Sequence, residues 1–457
     1  MEREKTKPVI FSLAPIFYLV FSILFFKFVW VVPYPHPYAL TIAGIFSYLQ
    51  RSNRKFLFLQ SAFRKNLYSV FPAMEILFFV GLLIASWAYS GVLFTMMQIG
   101  TSLIEPKFFL PSIAIVSAIA AMVSGSSWTT AGTLGVALMG VSKILGFPDV
   151  MSAGAIVSGC YFGDKLSPLS DTTNLASSLT HVPIWSHIRH MLKTTCFSFL
   201  LAVFCFYILN VFVWNPNLES LNPNQISFSE YLTKDIVYWK LIPVLIVFGS
   251  SFFHLPVRVS FLLGILSAFL FSLFEFGFSF EMLHSLVFGY KSQTGDQTWD
   301  LFLSGGGIVS ILPTEILIFS AVWFGAVVEG FGYLNELLIH IKHWAKNQFD
   351  ILLSTMGVSF LLNMMTADQY LSLVIPARAF RTLAIEKKIP EKDISRALED
   401  SGTITSPLIP WNSCGAFMAS SLGVPVLSFF PFVFFNLIHV FVSVSILIYK
   451  KIKLKSS

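Results

Sequence analysis

Charge is what this sequence has least of. Asp, Glu, Lys and Arg together make up 12% of 457 residues, about half the share of an ordinary soluble domain, so a water-soluble fold is excluded. Cysteine is almost as scarce. Cys160, Cys196, Cys205 and Cys414 share no metal-ligand spacing, which leaves free thiols as the expectation in place of a zinc site or disulfide framework. The ten-residue alternation of an outer-membrane strand is also missing, so a β-barrel is not expected. No small-residue cleavage site follows the opening MEREKTK, and the apolar run from Val9 to Val32 reads as a retained first span. A net charge of +6 could suggest nucleic acid. The basic residues, however, sit in short connections between apolar runs, where membrane topology accounts for them, and no nucleic-acid partner is expected.

What fills the sequence instead is hydrocarbon: 55% hydrophobic residues, 49 of them Phe. Runs of about 20 apolar residues match a bilayer core of about 30 Å, so the fold class is an all-α polytopic membrane protein. Simple spans are expected at Val9 to Val32, His36 to Leu49, Ser69 to Gly100, Thr194 to Trp214, Ile236 to Phe253, Val257 to Phe276, Glu315 to Ile339 and Val424 to Tyr449. Arg51, Arg54, Lys55, Arg64 and Lys65 cluster without an acid, Lys342 and Lys346 follow His340, and Lys451, Lys453 and Lys455 crowd the tail. The positive-inside rule puts these segments, and both termini, in the cytoplasm. The acid-bearing stretches Asn215 to Asp235 and Glu281 to Asp300 are expected outside.

Three stretches resist assignment as simple helices: Phe108 to Leu179, Phe302 to Pro313 and Phe349 to Leu422. They concentrate Gly, Pro, Ser and Thr. Irregular backbone at membrane depth survives only inside protein or beside water, and interrupted segments in the two halves of a chain point to a transport site. SPLSDTTNLASSL from Ser167 and SPLIPWNSCGAFMASSL from Ser406 share SPL, a central Asn (Asn174, Asn412) and ASSL, which favours an inverted or parallel repeat. The expected organisation is residues 1–68 as N-terminal helices with a basic connection, 69–235 as a first transport repeat and 236–457 as a second.

The same stretches hold the candidate chemistry. An ionised side chain at mid-bilayer costs on the order of 3 kcal/mol, so Asp164, Lys165 and Asp171 call for a function. Asp171, Thr172, Thr173 and Asn174 offer four oxygen-bearing side chains in succession beside Ser167 and Pro168, the donor set of a hard cation such as Na+. Asp368, Thr403, Ser406 and Asn412 form the counterpart in the second half. Ser126, Ser127, Thr129 and Thr130 are accessory candidates, with close helix packing as the competing role. Lys165 could neutralise Asp171 when no cation is bound. Asp400 is as well suited to capping near a charged connection as to a site. Glu315 and Glu329, 14 residues apart on one expected helix, face nearly the same side and could line a proton path, with pairing of Glu329 to His340 or Lys342 as the alternative. Glu75 reads as interfacial beside Arg64 and Lys65, and His187 and His190 as interfacial groups in a cytoplasmic connection.

SGSSWTTAGTLG, GAIVSGCYFGDKLSPLSDTTNLASS, TADQYLSLVIPARAF and ALEDSGTITSPLIPWNSCGAF, followed by LGVP, strongly resemble the NhaC-type Na+/H+ antiporter family from about Gly81 to Asn436. The resemblance implies two inverted repeats with broken helices or re-entrant hairpins, about 10 to 13 membrane segments, and the bacterial cytoplasmic membrane. It implies a secondary antiporter, not an enzyme, exchanging Na+ or Li+ for H+ by alternating access, without a cofactor and with membrane lipid around it. Some family members couple malate or lactate instead, and a homodimer stays open. Asp164, Ser167, Asp171, Thr172, Thr173, Asn174, Asp368, Thr403, Ser406 and Asn412 fall in matching positions. The chain departs from the family at Ser90 to Phe94 and at Gly305, which stands where an Arg is common; losing that Arg bears on substrate and stoichiometry. A membrane-embedded aspartyl hydrolase using Asp171 and Asp368 is the distant alternative.

Overall fold

The computed structural model describes residues 9–51, 56–213, 236–293, 300 and 303–456. The acidic stretch Asn215 to Asp235, residues 294–299 of the Glu281 to Asp300 connection, with Asp296 among them, and Arg54 and Lys55 lie outside them. Among the described residues every regular element is helical, and eight helices are long and apolar enough to cross a membrane. A ninth crossing results if Ser413–Leu422 and Val426–Phe432, bent by 84°, count as one broken span.

The chain runs through α1 (Val9–Phe28), α2 (Pro35–Gln50), α3 (Phe56–Tyr89) and α4 (Val92–Leu103) into α5 (Phe109–Ser124). After a break come α6 (Ser127–Thr130), a π-helical turn (Ala131–Gly135) and α7 (Val136–Ile144), then α8 (Asp149–Leu166), α9 (Asp171–Leu179) and α10 (Ile184–Val213). The order then recurs. Helices α11 (Ile242–Phe252) and α12 (Val257–Phe276) precede a short α13 (Phe280–Phe288), and α14 (Ile308–Gly330) and α15 (Tyr333–Trp344) follow. The last third comprises α16 (Gln348–Thr366), α17 (Gln369–Glu386), α18 (Glu391–Leu398) with its π-helical extension Glu399–Thr403, α19 (Ser413–Leu422), α20 (Val426–Phe429) and α21 (Phe434–Ser456).

Sequence chemistry explains where these helices break. The expected span Ser69 to Gly100 divides because Gly91 takes the left-handed conformation (φ 76°), and Glu315 to Ile339 divides in the same way at Gly332 (φ 74°). Gly125 (φ 68°) ends α5, after which Ser126 caps α6 by accepting from the Thr129 N–H at 3.1 Å. At the corresponding place after α16, Ala367 adopts φ 58° and Asp368 caps α17, accepting from the Tyr370 N–H at 2.8 Å. The expected span Val424 to Tyr449 starts instead at Phe434, because the prolines Pro425 and Pro431 interrupt the helix. Helices α5 and α16, inside stretches that resisted assignment, are long and apolar enough to cross.

Two hairpins pack against helices far from them in the chain. α2 packs on α14 and α1 on α15, while α12 packs on α3. α3 lies along α14 at the middle, and Glu75 reaches Arg258 of α12 at 3.1 Å, not the nearby Arg64 or Lys65. Gly159 and Gly163 bring α8 against α5, where an added methyl at either would run into the carbonyl oxygens of Ala114 and Ala118. Small residues give close packing where lipid supplies no hydrophobic drive. The broken segments of the two halves meet between these layers, with the Trp128 ring stacked on Phe417 at 4.3 Å.

Candidate functional site

The site is built where α8 and α9 meet the π-helical turn Glu399–Thr403. α8 ends at Leu166, since Pro168 cannot continue it, and Ser170 starts α9 by accepting from the Thr173 N–H at 3.4 Å. This turn carries Asp164 and Lys165 inward on the last turn of α8. Asp164 is 7% exposed, and its Oδ2 accepts from the Ser127 hydroxyl at 2.6 Å and the Ser127 N–H at 3.2 Å, at the start of α6.

Lys165 is completely buried and donates to Asp400 Oδ1 at 2.7 Å. The expected neutralisation of Asp171 is therefore replaced: Lys165 serves Asp400. That carboxylate is saturated, with His439 donating or sharing a proton to Oδ1 at 2.9 Å, and Arg396 (3.0 Å) and Ser443 (2.6 Å) donating to Oδ2. His439 Nδ1 lies 3.1 Å from the Ser198 hydroxyl, which ties the network to α10. A buried charge persists only when paired and fully hydrogen-bonded, which explains how three charged side chains coexist here.

Glu399, one residue earlier and equally buried, is treated differently. Its Oε1 accepts from the Thr172 hydroxyl at 3.3 Å, while its Oε2 finds no hydrogen-bond partner among the described residues. The Thr403 hydroxyl, one turn on, and the Tyr161 phenol are also buried without partners. Most buried polar groups are paired, so three such atoms call for an explanation. The π-helical geometry, common at functional positions, sets Glu399 and Thr403 in the segment where regular helical pairing is relaxed. Two carboxylates and two threonine hydroxyls, Asp164, Glu399, Thr172 and Thr403, make an all-oxygen donor set that suits a hard monovalent cation such as Na+ as cargo.

The remaining sequence candidates divide by surroundings. Asp171 and Asn174 occupy the exposed face of α9, and Asp171 stands close enough to Asp164 for their charges to interact. Among the described residues none forms an ion pair with Asp171. Thr173 donates to the Lys165 carbonyl at 3.2 Å and Ser167 to the Met122 carbonyl at 2.8 Å, so both hold the break together. Asn174 donates to the carbonyls of Pro168 and Ser170, both at 2.8 Å. In the other half, Asn412 caps α19 through the Cys414 N–H (3.0 Å) and donates to Asn363 Oδ1 (3.2 Å), while Ser406 donates to the Thr403 carbonyl (2.8 Å). Thr129 accepts from Thr133 through its carbonyl at 2.6 Å, and Thr130 shares a hydrogen bond with Ser124 at 3.2 Å, both packing roles. Asp368 is buried as the cap of α17.

Outside the cluster, Glu329 pairs with Lys65 in place of His340 or Lys342. Both carboxylate oxygens of Glu315 are buried without a partner on the same helix. His187 is fully buried against the Ser395 hydroxyl at 2.7 Å and His190 meets Asp393 at 2.9 Å, so His187 at least is no interfacial group. Sequence reasoning passed over His439 and Ser443 as site residues. A signal was present: Asn436, His439 and Ser443, spaced three and four apart, form one polar stripe on the largely apolar first part of the final helix.

Residues 159–451 match the family model described as the Na+/H+ antiporter family. The chain is 33% identical over 393 residues to the Na+/H+ antiporter NhaC of Alkalihalophilus pseudofirmus, covering 84% of each protein. It is 36% identical over 369 residues to the arginine/ornithine antiporter ArcD of Halobacterium salinarum, covering 80% of this chain and 76% of that one. It is 31% identical over 386 residues to the malate-2H+/Na+-lactate antiporter of Bacillus subtilis, covering 84% and 82%.

Proposed function

The chain belongs to the Na+/H+ antiporter family, and from that membership and the buried carboxylates we propose that it exchanges Na+, with Li+ as a second cargo, for protons. The observation that carries the reading is Glu399 Oε2, buried in the membrane interior beside Thr172 and Thr403 with no hydrogen-bond partner. A bare carboxylate oxygen at that depth must be met by a cation or a proton, because the cost of leaving it charged and alone is several kcal/mol. Alternate occupation by Na+ or H+ makes the two compete, and competition for one site enforces exchange.

Asp164, Glu399, Thr172 and Thr403 hold the cation in this reading, and Asp171 with Asn174 receives it on the exposed face of α9. Ser167, Thr173, Ser406, Asn412 and Asp368 keep the broken segments in shape. Lys165 with Asp400 fixes the two halves against each other. The breaks after α5 and α16, each at a residue of positive φ and each followed by a side-chain cap, support two inverted repeats at 69–235 and 236–457. We place the protein in the bacterial cytoplasmic membrane with both termini in the cytoplasm, as the basic ends at Arg51, Lys65 and Lys450 support.

The test is proton flux in proteoliposomes on addition of Na+, Li+ or K+. Wild type should dissipate a pH gradient with Na+ and Li+, and Glu399→Gln should not. Absence of any Na+-dependent flux in wild type would overturn the class, and full activity in both Glu399→Gln and Asp164→Asn would overturn the site. The names of the ArcD and malate/lactate relatives favour a second reading, exchange of an organic ion on the same scaffold. Against an organic anion, the buried cations Arg51 and Lys165 are already committed to Glu336 and Asp400. Uptake of labelled malate and arginine separates the readings.

A further inference from the structure

We infer that protons and cations reach the central carboxylates by different routes, the proton entering through a narrow cleft between α16, α18 and α21 that ends at Asp400; this rests on the proposed exchange of Na+ for H+. The cleft is walled by Met356, Asp393, Arg396, Ser443 and Lys450, with Asp400 at its floor. Asp393 and Asp400 are seven residues apart on α18 and its extension, about 10 Å along the axis. A cavity of about 20 Å³ lies along it, room for one water molecule.

Polar groups stand at both ends of the cleft, whose wall also includes Leu352, Met356, Ala397, Ile446 and Leu447. At the mouth Asp393 is held by His190 of α10 (2.9 Å) and Lys450 of α21 (3.6 Å). At the floor Asp400 faces Lys165 of α8, His439 and Ser443 of α21 and its own neighbours Arg396 and Glu399, with His187 of α10 on Ser395 behind. From that floor Lys165 leads back to Asp164, its neighbour in the chain. One water lets a proton reach Asp400, and Lys165, which has no acceptor of its own, passes one of its protons inward as it regains one from Asp400; that relay needs no wider passage.

A sodium ion does. Arg396 and Lys450 line the cleft already paired with Asp400 and Asp393, so the carboxylates there are taken and offer a sodium ion no free ligand. A space for one water also cannot pass a hydrated cation. The exposed face of α9 has the opposite character: Asp171 is accessible and, among the described residues, forms no ion pair. Free ligands and size therefore sort the two ions before they reach the shared site.

The experiment compares two transport modes of the full-length protein in proteoliposomes, Na+-driven proton flux and exchange of radioactive Na+ for unlabelled Na+ at equal pH. Ile446→Cys, at the cleft wall, is expected to behave as wild type in both modes. Modification with benzyl methanethiosulfonate should then lower the proton-coupled mode at least roughly tenfold and leave Na+/Na+ exchange within about twofold, with thiol reduction restoring it and wild type unaffected. Because one folded sample is measured before and after modification, misfolding does not enter. An equal fall in both modes, or no fall in either once mass spectrometry shows residue 446 modified, overturns the separate route. Na+/Na+ exchange and proton flux both missing from unmodified wild type would instead overturn the exchange reading, and this inference with it.

Discussion

Lys165 Nζ lies 2.7 Å from Asp400 Oδ1, across 235 positions of the chain, with both side chains buried. This pair joins the end of α8 to the π-helical turn after α18. It is thus the most direct charged link between the two broken segments.

Removing the ammonium alone should therefore be costly. Lys165→Met leaves Asp400 with Arg396, His439 and Ser443 but one counter-charge short, a loss of about 3 kcal/mol. Thermal unfolding in detergent should show a large drop for Lys165→Met and a partial recovery in Lys165→Met/Asp400→Asn. Equal stability of the single variant and wild type would show that the pair does not hold the halves.

Buried and exposed carboxylates should separate in kinetics. Glu399→Gln is expected to lower the maximal Na+-dependent proton flux at least roughly tenfold, whereas Asp171→Asn raises the KM for Na+ with little change in kcat. The reverse pattern would move the binding site onto α9. Thr172→Val, which removes the hydroxyl donating to Glu399, should also raise the KM.

Gly163 sits where a Cβ would collide with the Ala118 carbonyl oxygen on α5. Gly163→Ala should cost about 1–3 kcal/mol through forced separation of α5 and α8. Because Asp164 follows directly, transport should fall along with stability, and a variant as stable and active as wild type would contradict the close approach.

Ala367 holds φ 58° at the break between α16 and α17, a conformation that costs a side chain roughly 1–2 kcal/mol. Ala367→Gly should leave stability within about 1 kcal/mol of wild type, while Ala367→Val, β-branched at the same angle, should lower it clearly. Detergent melting curves decide the comparison.

Much of the fold was legible in the chain. Apolar length marked the helices, and Gly, Pro and Ser clusters marked where they break, because glycine and proline act on the backbone locally. The capping roles of Ser170, Asp368 and Asn412 follow the same local rule. Span ends near Gly91 and Gly332 were missed, since hydropathy averages across a single left-handed residue. The oxygen-rich stretch around Asp164 and Asp171 stood out in the sequence, but its internal division was not visible: Asp171 faces outward, and a buried oxygen without a partner among the described residues belongs to Glu399.

The sequence by itself determined that this is a helical membrane protein with two interrupted, oxygen-bearing segments, because bilayer thickness and backbone satisfaction act on every residue separately. Only the tertiary structure decided which charge meets which. Lys165 could have answered Asp164, Asp171, Glu399 or Asp400. The choice of Asp400 depends on how α8 and α18 cross and on His439 and Ser443 arriving from the last helix. Electrostatic partnership is set by distance in space and by burial, and neither quantity is written in the spacing along the chain.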